Sequence, residues 1–154
     1  MHRLIILPLL AALALVPAMA AGAGGKSHKV NTTLKGNTVD SHGKTVTDAA
    51  VATDPNIKSG NGAAVLHTTL SSDGKSATIK ATVFYKDGSL SATSKITFDL
   101  SAPDTIPFAG TGKVTGGTGT YKGAAGSFKV TGTQSTAQTT SGRFSAKITG
   151  TITY

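Results

Sequence analysis

The chain has 154 residues, a formal net charge of +8 at pH 7 and no cysteine. Without cysteine it cannot form a disulfide, so packing and backbone hydrogen bonds alone must stabilise its fold. Glutamate is missing, and Gly, Thr, Ser and Ala dominate the sequence. This composition disfavours long helices and suits strands joined by tight turns, so we expect a domain that is nearly all β.

The N-terminus has the pattern of a secretory signal peptide over residues 1–20. A basic start is followed by an apolar run over residues 4–16 and by Ala18-Met19-Ala20, which has the small residues of a cleavage site. The apolar run is too short to predict a permanent transmembrane span. We expect a flexible lead over residues 21–27 and one domain over 28–154, in a protein that is secreted, periplasmic or held at the cell surface.

The positive charge of the mature chain is carried almost entirely by lysine. Arg143 is the only arginine after residue 20, and the lysines appear one at a time along the predicted strands. Such a charge attracts anionic surfaces such as a cell envelope. Nucleic-acid binding is not expected, because the sequence shows neither paired arginines nor basic residues interleaved with aromatic ones.

Three strands are predicted in the first half of the mature chain. Apolar and polar residues alternate from Val30, which indicates a half-buried strand that ends near Gly36. A second strand is predicted over residues 45–53 and a third over residues 63–70. The loop between these two is about eight residues long, which exceeds most hairpin connections.

Two Asp-Gly pairs give the clearest hairpin signals. Asp73-Gly74 precedes a strand predicted over residues 76–85, and Asp87-Gly88 precedes one over residues 89–100. Period-two alternation places one set of side chains of each strand on the inner face of the sheet. For the second of these strands the predicted inner set is Leu90, Ala92, Ile96, Phe98 and Leu100.

A further strand begins at Ile106. It leads into residues 108–133, which are predicted to form a strand, a glycine-rich turn and a return strand. A Lys-(Val/Ile)-Thr-Gly phrase starts at Lys113, at Lys129 and again at Lys147. Strands of one type therefore follow each other at similar spacing, which is typical of a β-meander.

A glycine cluster separates the first two of these phrases. Glycine permits positive φ and close approach of two chain segments, so we expect a sharp corner that an aromatic side chain covers. This structural role is assigned to Gly116, Gly117, Thr118, Gly119, Tyr121 and Gly126.

The last strand is predicted over residues 143–154, after a polar connection over residues 134–141. The count is then about eight strands, and a chain that ends inside a strand suggests that this strand closes the sheet. The predicted fold is all-β, a single eight-stranded antiparallel β-barrel that follows a cleaved signal peptide.

The glycine cluster also resembles a family signature. Residues 114–126, VTGGTGTYKGAAG, are similar to the GGTG-x-(Phe/Tyr)-x-x-A-x-G signature of the allene oxide cyclase and dirigent superfamily. The resemblance implies a small exported eight-stranded barrel. Plant dirigent proteins usually carry an arginine where this chain has Ala125, and allene oxide cyclases use a pocket glutamate that this chain lacks. The resemblance therefore supports the fold and weakens both activities.

The sequence contains no convincing catalytic or metal-binding constellation. Asp40, Ser41 and His42 are neighbours, but adjacent side chains on a strand cannot align as acid, base and nucleophile. His28 and His67 share no metal-ligand spacing with His42. We predict no catalytic residue, no metal and no cofactor.

The leading hypothesis is a barrel that is non-catalytic or binds one small apolar ligand inside, since eight strands leave room for at most one small guest. A second hypothesis is an isomerase, a cyclase or a dirigent-like enzyme, in which Tyr85 or Asp99 polarises an oxygen of a hydrophobic substrate. A third is a basic module that adheres to the cell envelope. Ligand identity and oligomeric state stay open. The side chains predicted to line the interior are Ile79, Val83, Tyr85, Phe98, Val114, Phe128, Val130, Phe144 and Ile148.

Overall fold

The computed structural model describes residues 25–101, 104–135 and 142–154. The predicted signal peptide lies outside these residues. Within them the chain forms eight strands and one short 3-10 helix over Gly119–Tyr121. The strands are β1 (Ser27–His42), β2 (Thr45–Thr53), β3 (Asn61–Leu70), β4 (Ser76–Tyr85), β5 (Gly88–Phe98), β6 (Thr105–Gly117), β7 (Ala125–Ser135) and β8 (Arg143–Thr153).

The sheet closes on itself. Each strand pairs antiparallel with the next, and β8 pairs with β1 from Ser27 opposite Thr153 to Asn37 opposite Arg143. Closure gives every strand two neighbours, so no edge is left with unpaired backbone groups. The predicted fold class, an eight-stranded antiparallel barrel, is confirmed. No helix in the described part of the chain is long and apolar enough to cross a membrane.

Two predicted details are wrong. β1 does not end near Gly36 but continues to His42, because it pairs with β2 along its far half. Leu100 does not face inward: β5 ends at Phe98, and Leu100 is 52% exposed. The chain leaves the sheet there because the Asp99 carboxylate accepts hydrogen bonds from the backbone and hydroxyl of Ser101, which form a turn.

The two ends of the barrel are filled differently. One end, the tyrosine end, holds Tyr85, Tyr121 and Tyr154, with the loop over residues 54–60. The other, the phenylalanine end, is where β5 ends and where β6 and β8 begin, and it carries Phe98, Phe108 and Phe144 on the inner face of the sheet. Between the two ends, the inner face carries mostly aliphatic side chains.

Some of the cations, which the sequence places one at a time along the strands, share one surface of the barrel. Strands β5, β6, β7, β8 and β1 are consecutive neighbours in the closed sheet, and none of β5 to β8 contains an acidic residue. Their outward side chains are mainly Ser, Thr and cations. This surface, the cationic face, carries exposed Lys29, Lys35, Lys95, Lys113, Lys129, Arg143 and Lys147.

Candidate functional site: the barrel interior

A cavity of about 180 Å³ runs along the barrel axis. Its walls come from all eight strands, and Ile57 of the loop over residues 54–60 closes it at the tyrosine end. The structure places all nine predicted interior residues on this wall, and their role in ligand binding stays a prediction. Those nine are Ile79, Val83, Tyr85, Phe98, Val114, Phe128, Val130, Phe144 and Ile148.

The middle of the barrel is incompletely filled. Ile79, Ala81 and Val83 point inward from β4, yet each is only half-buried. Ala92 on β5 and Ile148 on β8 also point inward and are also only half-buried. An inward side chain in a close-packed core would be fully buried. These side chains therefore face open space inside the barrel.

Glycines and aromatic rings shape one wall of this space. The ring of Phe128 lies across Gly112, where an added Cβ would be 2.3 Å from the ring. Phe108 lies across Gly132 in the same way, with its ring 2.4 Å from an added Cβ. Any larger residue at either glycine would displace a ring into the cavity.

The glycine motif forms the corner between β6 and β7. Gly119 has a φ of +58°, and an added Cβ there would lie 2.2 Å from the carbonyl oxygen of Asp87 in the β4–β5 turn. Thr118 accepts a hydrogen bond from the Ser89 backbone at 3.1 Å, which ties the corner to the same turn. Tyr121 follows and is 1% exposed. The motif thus packs the β6–β7 corner against the β4–β5 turn at the tyrosine end.

The remaining residues of the motif lie against the same corner. Gly116 stands opposite Ser91 at an irregularity in the β5–β6 pairing, and an added Cβ on Gly117 would meet the backbone of Tyr121. Gly126, the second residue of β7, lies close to the backbone of β8.

Aromatic rings fill the tyrosine end. The ring centroid of Tyr121 lies 5.4 Å from that of Tyr85 and 4.9 Å from that of Tyr154. Burial raises the pKa of Tyr85, and the nearby charge of Asp54 raises it further. The Tyr85 hydroxyl therefore stays protonated at neutral pH and can donate a hydrogen bond, but it cannot act as a base there.

Asp54 is fully buried at the tyrosine end, with 0% exposure. Its Oδ2 accepts hydrogen bonds from the Thr32 hydroxyl at 2.6 Å and from the Asn31 backbone at 3.0 Å. Its Oδ1 accepts one from the Asn56 backbone at 2.8 Å. The carboxylate thereby joins the loop over residues 54–60 to β1, and we assign it a structural role.

Among the residues that the structure describes, Asp48 is the only charged side chain on the cavity wall. It lies on β2, is 9% exposed, and accepts a hydrogen bond from the Thr38 hydroxyl at 2.8 Å. The Thr68 hydroxyl lies 3.5 Å from its other oxygen. Burial raises the pKa of Asp48, and the two threonine hydroxyls oppose this effect. Sequence reasoning missed Asp48, although its alternation with Val46 and Ala50 signals an inward position.

Of the two residues that the enzyme hypothesis names, Tyr85 lies on the cavity wall and keeps a hydroxyl that can donate a hydrogen bond, whereas Asp99 is not on that wall. Tyr85 lies at the end of β4 in the tyrosine end, whereas Asp99 follows β5 at the opposite end and is exposed. The hydrogen bonds from Ser101 lower the pKa of Asp99, so it stays ionised. Within residues 25–101, 104–135 and 142–154 no three His, Cys, Asp or Glu residues are grouped to hold a metal ion.

Comparisons with known proteins add little to this geometry. No protein-family model matches the chain, and no curated protein does. Among solved structures the chain is similar to pyocyanin demethylase, with 17% sequence identity and a TM-score of 0.40 over 80% of this chain and 99% of that chain. A similarity at this level carries no information about activity. The resemblance to the allene oxide cyclase and dirigent superfamily is not confirmed.

Proposed function

We propose that this chain is an exported barrel protein of the allene oxide cyclase and dirigent type that binds one small apolar ligand in its interior without transforming it. The observation that carries the proposal is the unfilled space that Ile79, Ala81 and Val83 face. Its volume of about 180 Å³ is close to that of an engineered apolar cavity of about 150 Å³ that binds benzene. A ligand the size of one aromatic ring therefore fits.

The affinity of such a ligand would come from apolar burial. Removing apolar surface from water contributes about 25 cal/mol per Å². Aliphatic and phenylalanine side chains supply almost the entire wall. The tyrosine end of the cavity is filled by its own side chains.

Toluene binding tests the proposal, measured by ligand-detected NMR on the purified mature protein. We expect toluene to bind the wild type and Ala81→Phe to abolish binding, because the new ring occupies the cavity. Ala109→Phe, on the exposed face of β6, is the matched control and should bind toluene like the wild type. Equal binding by both variants would contradict the proposal, as would a wild type that binds no toluene.

A mass spectrum of an organic extract of the purified protein would identify a natural ligand. We expect a compound of low mass that is released from the wild type and not from Ala81→Phe. A compound that both release in equal amounts would lie outside the barrel.

The cationic face favours a second function, adhesion to an anionic polymer of the cell envelope. Seven cations lie on five neighbouring strands. Each lysine near an anionic surface contributes about 1 kcal/mol, and salt screens this contribution. The face exposes no aromatic side chain on which a base could stack, which distinguishes it from a surface for single-stranded nucleic acid.

Binding to dextran sulfate at two salt concentrations tests this second function. The double substitution Lys113→Gln and Lys129→Gln should weaken binding about 25-fold, at about fivefold for each lysine. The substitutions Lys80→Gln and Lys86→Gln change the net charge equally but lie outside the cationic face, so binding should fall much less. An equal loss for both pairs would show attraction to net charge alone.

A further inference from the structure

The charges of this protein are separated between its outside and its inside. The cationic face lies outside, while the wall of the cavity contains no lysine, arginine or histidine among the described residues. The one charged group on this described part of the wall is the Asp48 carboxylate. A second carboxylate, Asp54, is buried at the tyrosine end but is not on the wall. The interior is therefore acidic although the whole chain is basic.

The two oxygens of Asp48 differ in their hydrogen bonding. Oδ1 accepts from the Thr38 hydroxyl at 2.8 Å, a normal length for this bond. Oδ2 has the Thr68 hydroxyl at 3.5 Å, which is too long for a strong hydrogen bond between oxygens. A buried carboxylate oxygen without a short donor carries a desolvation cost that a ligand donor would offset. Oδ2 is thus the position where a donor from a ligand would gain most.

We infer that the ligand of the cavity is a primary amine with an apolar body the size of one aromatic ring, whose ammonium group donates a hydrogen bond to Oδ2 of Asp48. This inference rests on the proposed function, since it names the ligand class of the same cavity. The ammonium supplies the opposite charge that the cavity wall lacks. The apolar body lies against Ile79, Val83 and their neighbours.

Anionic ligands are excluded by the same arrangement. A carboxylate placed beside Asp48 would meet a like charge in a medium of low dielectric constant. No cation in the described part of the cavity wall would compensate for it. Fatty acids and aromatic acids should therefore be rejected, although the exterior attracts anions.

Three probes of similar size and different charge test the inference: toluene, benzylamine and benzoate. We expect benzylamine to bind the wild type about tenfold more tightly than toluene, since a hydrogen bond to a charged group contributes at least that factor. Benzoate should not bind. Asp48→Asn should reduce benzylamine binding about tenfold more than it reduces toluene binding. Asp99→Asn, an exposed carboxylate outside the cavity, is the matched control and should behave as the wild type.

The outcomes separate the inference from the function on which it rests. If toluene binds but benzylamine binds no better, the cavity binds apolar ligands and the amine inference is wrong. Benzoate binding at the level of benzylamine would overturn it as well. If none of the three probes binds, the proposed function itself fails. Should Asp48→Asn not fold, the ranking of the three probes on the wild type still decides the question.

Discussion

Replacing Asp54 tests how strongly the loop over residues 54–60 is held against β1. Replacing it by alanine removes a carboxylate that accepts three hydrogen bonds, from the Thr32 hydroxyl and from the backbones of Asn31 and Asn56. The Thr32 hydroxyl is buried and would be left with little access to water, whereas the hydrogen bonds from Asn31 and Asn56 are only part-buried. The loop over residues 54–60 would also lose its link to β1.

The size of the effect follows from those three bonds. A hydrogen bond to a charged group contributes about 1.5–3 kcal/mol, and a buried donor left without a partner costs about 1–3 kcal/mol. Contributions within one network are not additive, so we expect Asp54→Ala to lower the free energy of unfolding by about 3–5 kcal/mol. Asp54→Asn keeps one oxygen, which can still accept from Asn31 and Thr32. Its cost should therefore be smaller, about 1–3 kcal/mol.

Urea denaturation measures this loss with two signals. Far-UV circular dichroism reports the whole sheet, while tyrosine fluorescence reports the tyrosine end, because the chain contains three tyrosines and no tryptophan. We expect both midpoints to fall together in Asp54→Ala. The matched control is Asp73→Ala, which removes a carboxylate that also accepts two hydrogen bonds in a turn but is exposed to water.

Equal urea midpoints for Asp54→Ala and Asp73→Ala would contradict this prediction. In that case water or a rearranged loop would satisfy the three donors, and burial of Asp54 would contribute nothing.

Four other predictions are tested by urea denaturation or, for Tyr85, by alkaline titration. Leu66→Ala should cost about 2–5 kcal/mol because its side chain is buried in the core, whereas the exposed Val51→Ala should cost little. Gly119→Ala should cost about 2 kcal/mol or more in urea denaturation, because alanine disfavours a φ of +58° and its Cβ would meet a backbone oxygen. Burial raises the pKa of Asp48 above 3.8, so the folded state binds this proton more tightly than the unfolded state does. The free energy of unfolding of the wild type should therefore fall as the pH rises from 3.8 through the pKa of Asp48 in the folded state. Asp48→Asn should lack this fall. In an alkaline titration followed at the phenolate absorbance, Tyr85 should ionise above pH 10.0, and this step should be missing from Tyr85→Phe.

Local patterns in the sequence were sufficient for the architecture. Alternation along a strand decides which side chains share a face, and Asp-Gly pairs decide where hairpins turn. Both are interactions between near neighbours in the chain. The same alternation put Asp48 in line with Val46 and Ala50 on the inner face, so this carboxylate could have been found from the sequence.

Closure of the barrel decided the rest, because it joins residues that are far apart in the chain. Asp54 looked like an ordinary turn residue, and its burial depends on the loop over residues 54–60 folding back onto Asn31 and Thr32 of β1. Closure extends the cationic face, because the pairing of β8 with β1 brings Lys147 next to Thr33 and between Lys29 and Lys35. Alternation can assign a side chain to the inside or the outside of a sheet. Which side chains become neighbours across strands is fixed by the pairing of the whole sheet.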